Sequence, residues 1–494
     1  MKLPQNTQVL VIGGGPAGST AAAFLARAGI AVTLVERDVF PRYHIGESLL
    51  PSCLEIVELL GARERLEAQG FQRKPGAYLD WKGEEWTLDF GELRGRYQHS
   101  YQVPRAEFDH LLLEHATDQG VRVFEGTNVR DIVYDGERPV AAQWEHLASG
   151  EIGETRFDHV IDASGRAGIV ATRYLNNRRY NDMFRNVAVW GYWEGMQRLP
   201  DGRDGAIAVG SIDDGWIWAI PFCDGRMSVG VVLAKDAFQA ARKAGSLDKL
   251  YADALASSSL MTGLTATGRR VSDLKVEQDY SYAAETFSGP GWFLAGDSAC
   301  FLDPLLSTGV HLAMYSGLLA AAAAGSCLRG EVAEGEALAY YDESYREAYL
   351  RFLVFVAAFY QTSGKAGYYD KAEKLSHFDV DTGNVRRAFV NLVSGLEDLA
   401  DAEQTTGHLM GEMQRRIREN LELRSDKGAL REDADFQARA EANADFFDGI
   451  EGMSSLSQAH AINGLYVATH PHPRLARVAG QGAERPMVRE AVAA

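Results

Sequence analysis

Cysteine is scarce: there are four in 494 residues, Cys53, Cys223, Cys300 and Cys327, with no C-x-x-C pair and no metal-ligand spacing among them. Neither a disulfide framework nor a metal site is expected, and the thiols read as reduced and mostly packed, as in a cytoplasmic protein. Basic charge is in deficit, 50 Lys and Arg against 68 Asp and Glu, for a formal charge of −18. The field of such a chain repels phosphate, which argues against a nucleic-acid partner or an anionic membrane surface. No basic segment precedes Val9–Ile12, and that apolar run breaks at once into glycines, so no export signal is read. Long apolar runs are lacking too. The one stretch near bilayer length, Val310–Leu328, is largely alanine and is interrupted by His311, Ser316, Gly317, Gly325 and Ser326, the pattern of a buried helix. Proline is sparse at 14 residues, no repeat of fixed period occurs, and no Pro- or Ser-rich linker divides the chain. A second domain must therefore be interleaved with the first.

What is present is a globular mix, 46% hydrophobic and 24% charged, on a chain long enough to bury a large core. A short β-branched run, Gln8–Ile12, leads into Gly13-Gly-Gly-Pro-Ala-Gly18 and then an alanine-rich helical stretch from Ser19 to Ala28. Gly13, Gly15 and Gly18 thus form G-x-G-x-x-G at a strand-to-helix junction, where missing side chains let the backbone approach a pyrophosphate at the helix N-terminus. Glu36 closes the next strand, Ala31–Glu36, at the distance of a carboxylate that bonds the adenosine ribose. Strand patterns follow at 78–81, 121–124, 129–134, 140–145 and 159–162, then at 186–193, 206–211, 216–221 and 227–233. Short turns join most of them, so a mixed or antiparallel sheet inserted into the nucleotide fold is expected. From Val310 the pattern is helical, with Tyr341, Tyr345, Tyr349, Phe352, Val356 and Phe359 on one stripe that reads as the core face of a long helix. The expected class is α/β: a Rossmann-type domain with an interleaved β-sheet substrate region over 1–365, and a helical, substrate-covering C-terminal part over 366–494.

Two later segments choose the cofactor. Trp292-Phe-Leu-Ala-Gly-Asp297 is an apolar strand ending where the Asp297 carboxylate can bond a ribityl hydroxyl, and Val160-Ile-Asp-Ala-Ser-Gly165 is a second strand ending in a small-residue turn. Both resemble segments of the large FAD-dependent monooxygenase superfamily. The resemblance implies FAD rather than NAD, and implies that Arg105 of Val103-Pro-Arg-Ala-Glu-Phe-Asp109 lines the flavin. Within that superfamily, Gly215-Trp-Ile-Trp-Ala-Ile-Pro221 resembles the W-x-W-x-I-P signature of the flavin-dependent halogenases. Phe301-Leu-Asp-Pro-Leu-Leu-Ser-Thr-Gly309 is similar to their F-x-x-P-x-x-S-x-G segment, and Phe40–Pro51 contains their G-E-S-L-L-P stretch. The likeness spans roughly residues 7–365 and points to the branch that halogenates phenols and pyrroles, including carrier-tethered tyrosine.

That resemblance implies FADH2-dependent chlorination or bromination of an electron-rich ring, using molecular oxygen and chloride or bromide. A flavin hydroperoxide would oxidise the halide to hypohalous acid. Lys74, in the same register to Trp81 as the essential lysine of these enzymes, would hydrogen-bond the hypohalous acid or become a haloamine, and present an electrophilic halogen to the ring. Trp216 and Trp218 alternate along a strand, so both indoles share a face. The resemblance makes them a wall between flavin and substrate, whereas alone they would fit a core equally well. Ser307-Thr308-Gly309 precedes a helix, whose first N–H groups form an anion site. Thr308 and Gly309 would hold the halide there, with Gly309 also serving the flavin pyrimidine edge.

Tyr78 and Leu79 replace the Thr-Phe usual in the lysine segment, and Leu306 replaces the glutamate that tryptophan halogenases place before S-T-G. Without a carboxylate the ring must stabilise its own developing charge, which favours a phenol or pyrrole over free tryptophan. Carrier docking is disfavoured by the net charge, although Arg415, Arg416 and Arg418 offer a local basic face. No second G-x-G-x-x-G occurs, so a separate flavin reductase is expected as partner. A hydroxylase or isoprenoid-chain reductase of the superfamily would share Gly13–Gly18, Glu36 and Asp297 but would not need Lys74 or the tryptophan pair. A catalytically silent flavoprotein partner is the third reading.

Overall fold

The computed structural model describes residues 3–81, 83–90, 97–199, 203–305, 307–361 and 461–478. Val9–Ile12 is apolar on both faces and accordingly lies at the middle of a sheet, in the strand Asn6–Ile12. It pairs in parallel with Val32–Val35 on one side and with the C-terminal half of Glu151–Asp162 on the other. Arg122–Phe124 and Trp292–Leu294 extend the parallel array outward, and the hairpin Thr127–Asp135 with Arg138–His146 joins antiparallel to Glu151–Asp162. The chain leaves this sheet after Val35 and again after Asp162, and both excursions build a second sheet. That is the expected interleaving.

The second sheet is mixed. Its strands run in the order Cys300–Phe301, Lys275–Ala284, Arg178–Glu194, Met227–Ala234, Gly215–Pro221, Ile207–Ile212, Gly76–Trp81 and Glu84–Asp89, with only Ile207–Ile212 and Gly76–Trp81 parallel among these neighbours. Period-two alternation sorts its side chains. Leu79, Trp81, Ala188, Trp190, Ile207, Val209, Trp216, Trp218 and Val232 lie on one face, together with Leu305. Tyr78, Val189, Ala208, Ile217, Val229 and Val231 lie on the other, under the helices Leu247–Ala256 and Ser259–Thr265.

The apolar run is indeed a core helix, Gly309–Leu328, with 94% of its most apolar window buried. It packs against the helix Pro16–Arg27. A Cβ on Gly317 would stand 2.4 Å from the Ala17 carbonyl oxygen, and one on Gly325 would stand 3.5 Å from Leu25 Cδ2. Residue numbers rise together across that contact, so the two helices are parallel. Ser316 is satisfied inside the core by accepting from Gly296 N and donating to Ala313 O. On the helix Glu334–Gln361, Tyr341, Tyr345, Tyr349, Phe352 and Val356 are buried as the stripe requires; the Phe359 side chain lies outside the described set. Cys53 and Cys300 are buried and Cys327 is partly so, while Cys223 is exposed.

One expectation is corrected. Of the C-terminal part, 366–494, the described stretch 461–478 is not helical. It forms a β-hairpin, Leu465–Ala468 with Arg474–Arg477, anchored by Leu475 N donating to Ser326 Oγ and by Arg477 paired with Glu336. Ser326 is at the C-terminal end of the alanine helix, about 27 Å along its axis from Thr308. The remainder, with Arg415, Arg416 and Arg418, lies outside the described residues.

Gly230 makes room for Trp218: a Cβ there would stand 2.0 Å from the indole. Gly230→Ala should therefore displace Trp218, changing the near-UV circular dichroism and lowering stability by about 1–3 kcal/mol. An unchanged spectrum and melting temperature would refute the packing.

Candidate active site

Gly13 and Gly18 serve the turn itself. Gly13 has φ +106°, and its Cβ would stand 2.2 Å from Ala163 O, while a Cβ on Gly18 would stand 1.9 Å from Gly13 O. Gly15 is different. The one atom near its missing side chain is Arg42 Nη2, at 3.3 Å, so Gly15 opens onto a space with a guanidinium across it. Gly15 also caps the Pro16–Arg27 helix without a side-chain bond, leaving the first-turn N–H groups for a ligand. Glu36 faces the same loop, its carboxylate accepting from Gly14 N at 2.6 Å and Asp38 N at 2.8 Å.

Behind this loop Asp109 is fully buried between two arginines. Arg105 binds it through Nε at 2.7 Å and Nη2 at 2.9 Å, and Arg42 Nη1 faces it at 3.3 Å without making a hydrogen bond. Arg42 also lies 4.7 Å over the Phe40 ring. Arg42 thus stands between Asp109 and the open side of Gly15, where its guanidinium suits a diphosphate. Arg105 spends its remaining Nη1 on the carbonyls of Ile45 and Gly46. It therefore holds the 42–47 loop as well as standing near Asp297. Burial pushes the Asp297 carboxyl above its usual range, opposed by Arg166, Arg105 and Arg178, and its backbone oxygen accepts from Tyr282 at 2.7 Å. The open space at Gly15, the Arg42 guanidinium across it and the carboxylates at Glu36 and Asp297 fit FAD along its length.

Trp216 and Trp218 are 1% and 4% exposed, with ring centroids 5.8 Å apart. Trp190 stands 6.5 Å from Trp218, and Leu79 and Trp81 complete the face; Tyr78 points to the opposite side. Leu305 lies on the tryptophan face, and two residues later Ser307 turns with φ +60°. Thr308 then caps the alanine helix. It is 1% exposed and its Oγ1 has no partner, so with the Gly309 amide it offers donors suited to a halide. Leu306 lies outside the described residues.

Lys74 is 2% exposed, an unusual place for an ammonium. It ends the short strand Gln72–Lys74, which continues through Pro75 into Gly76–Trp81, the strand that carries Leu79 and Trp81. Its Nζ donates to Leu49 O at 2.9 Å and lies 5.3 Å over the Phe90 ring.

Sequence reasoning missed Arg42 and Glu47, both inside a segment quoted only for its resemblance. Glu47 is buried and accepts from Tyr192 at 2.7 Å. The Tyr43 hydroxyl, which accepts from Trp190 Nε1 at 2.7 Å, lies 3.1 Å from that of Tyr192. Burial pushes the Glu47 carboxyl up to about 7, against the pull of Tyr192, Arg105 and Arg226. A glutamate inside an otherwise apolar G-E-S-L-L-P run was the available signal.

Residues 6–351 match the family model described as an FAD binding domain. The tryptophan 2-halogenase of Chondromyces crocatus is 47% identical over 83% of this chain and 79% of its own length. The sulochrin halogenase gedL of Aspergillus terreus is 42% identical over 72% and 70%, and the flavin-dependent halogenase armH3 of Armillaria mellea is 38% identical over 94% and 97%. Among solved structures, the myxobacterial chondrochloren halogenase CndH superposes with a TM-score of 0.69 at 34% identity, covering 82% of this chain and 97% of that one. The flavin-dependent halogenase CmlS gives 0.70 at 31%, covering 98% and 88%.

Because a Cβ at Gly15 meets no backbone, Gly15→Val should fold and melt like the parent yet lose FAD on gel filtration; FAD retained at the parental level would contradict the cradle. Glu47 predicts a pH dependence of stability. Its folded carboxyl takes a proton near pH 7 and its unfolded one near 4.5, so between these values the folded chain binds more protons and stability falls as pH rises. Glu47→Gln should remove that decline, seen as a flatter melting temperature between about pH 5 and 7. Parallel curves would contradict it.

Proposed function

The chain belongs to the FAD-binding flavin-dependent halogenases, and on that premise we propose that it chlorinates or brominates an electron-rich aromatic ring, with Lys74 presenting the halogen. The observation that carries this reading is the burial of Lys74, one proline before the strand that gives Leu79 and Trp81 to the tryptophan face. Reduced FAD, when bound, supplies the electrons with which oxygen converts halide to hypohalous acid; a separate flavin reductase is the expected source of reduced flavin. Gly15, Arg42 and the N-terminus of the Pro16–Arg27 helix hold the diphosphate, Glu36 the adenosine ribose, and Asp297 the ribityl chain. Thr308 and Gly309 hold the halide. Trp216 and Trp218 exclude water and keep the ring from the flavin, so that halogen and not oxygen reaches it. Lys74 donates N–H to the oxygen of hypohalous acid, which raises the electrophilicity of the halogen and orients it toward the substrate.

The substrate proposed is a phenol, free or carrier-tethered, because the sequence has Leu306 where tryptophan halogenases carry a glutamate, so the ring must stabilise its own developing charge. The name of the 47% relative favours a second reading, the C2 position of tryptophan. That carbon belongs to the pyrrole half of indole, the electron-rich half, so it makes the same low demand for an added anion.

Lys74→Ala should oxidise reduced flavin at the parental rate while halogenated product falls by about a hundredfold or more, the scale of losing a charged group that acts in the transition state. Oxygen uptake measured beside mass spectrometry decides this; product at the parental rate would remove Lys74 from the chemistry. In the same assay, phenols and tryptophan offered side by side separate the two substrate readings, and turnover of neither ring would refute both.

A further inference from the structure

The strand that carries Lys74 belongs to a small ribbon of its own. Gln72–Lys74 pairs antiparallel with Ser100–Gln102, in the register Lys74 to Ser100 and Gln72 to Gln102. On its other side Gln102 faces Ser48 in an antiparallel bridge, closed by Leu49 N donating to Tyr101 O at 3.0 Å and Val103 N donating to Glu47 O at 2.7 Å. Residues directly opposite one another share a face, and so do residues two apart on one strand. Lys74, Ser100, Gln102 and Ser48 are therefore neighbours on one side of the ribbon. Since Lys74 Nζ reaches Leu49 O on the far strand, the lysine stem crosses the central strand at Ser100.

This face is buried and its hydrogen bonding is incomplete. Ser48, Ser100 and Gln102 are 6%, 0% and 0% exposed, yet Ser48 Oγ, Ser100 Oγ and Gln102 Oε1 have no partner. The other end of Gln102 is engaged, Nε2 donating to Gly205 O at 3.4 Å, which turns Oε1 away from that carbonyl. An unmade buried hydrogen bond costs more than a hydrophobic replacement would, and three on one face are unusual unless something occupies it. The set offers two hydroxyls, able to donate, and one amide oxygen, able only to accept. A bare halide would be repelled by the amide oxygen, and an apolar ring would leave all three unsatisfied. A small neutral molecule with one O–H and one acceptor oxygen satisfies them.

We propose that Ser48, Ser100 and Gln102 form a polar cradle that holds hypohalous acid beside Lys74, its O–H donated to Gln102 Oε1 and its oxygen accepting from the serine hydroxyls. The inference rests on the halogenation reading above. It is a binding step in which no covalent bond changes. These are positioning residues: they keep the oxidant from diffusing away and set its halogen end free toward the ring, while Lys74 supplies the charge.

The test compares the parent with Ser100→Ala, Gln102→Met and the double variant, as FAD-loaded enzyme with a phenol, chloride, reduced flavin and a bulk hypochlorous-acid scavenger. Ser100→Ala deletes only an unsatisfied hydroxyl, so its melting temperature should hold or rise, while Gln102→Met also gives up the long bond to Gly205 O and should lower the melting temperature slightly. Flavin oxidation should match the parent, product per flavin oxidised should fall about tenfold in the double variant, the worth of two hydrogen bonds, and scavenger capture should rise as product falls. Product per flavin within about twofold of the parent would overturn the cradle. So would a fall in product with no added capture, the sign that the face holds only water, and so would a fall that tracks a lower melting temperature. If the parent itself forms neither halogenated ring nor halide-dependent capture, the halogenation reading fails instead, and the cradle with it.

Discussion

The close parallel packing of the helix Pro16–Arg27 against the helix Gly309–Leu328 is the constraint on which the site depends. It exists because the facing surfaces are glycine and alanine: any side chain at Gly317 would strike the Ala17 carbonyl. Parallel packing aims both positive helix ends the same way. The register of the contact, Gly317 at Ala17 and Gly325 at Leu25, carries the second N-terminus about 10 Å beyond the first. One helix end therefore opens beside Gly15 and Arg42, and the other begins at Thr308 and Gly309. The loop entering that second helix contributes Leu305 to the tryptophan face. A contact between small residues in the core thus sets the spacing of the two helix N-termini and of the tryptophan face.

Charge is distributed to match. The chain is acidic overall, yet beside the glycine loop Asp109 is outnumbered by Arg42 and Arg105, and Asp297 stands among Arg166, Arg105 and Arg178. The tryptophan face is the apolar counterpart, with the Trp81, Trp190, Trp216 and Trp218 side chains buried together on it. Lys74 lies at the edge between these environments. Its ribbon is polar on one face and continuous with the tryptophan sheet through a single proline. The junction is suited to a species generated in a charged site and consumed in an apolar one.

Much of this could be read before the fold was known, because it is written in local patterns. Gly13 and Gly18 mark a turn that only glycine allows, Gly15 stands open beside it, Glu36 ends the adjacent strand, and Trp216 and Trp218 alternate with the period of a strand. The interleaved sheets followed from strand patterns without a linker. What could not be read depends on pairs distant in sequence. Arg42 matters because Asp109 and Gly15 lie beside it, Glu47 because Tyr192 folds over it, and Ser48, Ser100 and Gln102 because three short strands align. The ribbon strands are three residues each, too short for any periodicity. The C-terminal hairpin at 461–478 was missed for the same reason, its two four-residue strands lying in a stretch that reads as polar and helical.

The central claim is directed delivery: halogen reaches the ring from Lys74 inside the protein and not through solution. It is tested most directly by giving the enzyme a phenol with two inequivalent open positions and an excess of a bulk hypohalous-acid scavenger, then comparing the isomers formed with those from free hypohalous acid. The account predicts that product persists in the presence of scavenger and favours one isomer over the solution ratio. Product abolished by the scavenger, with the isomer ratio of the free reagent in its absence, would contradict it.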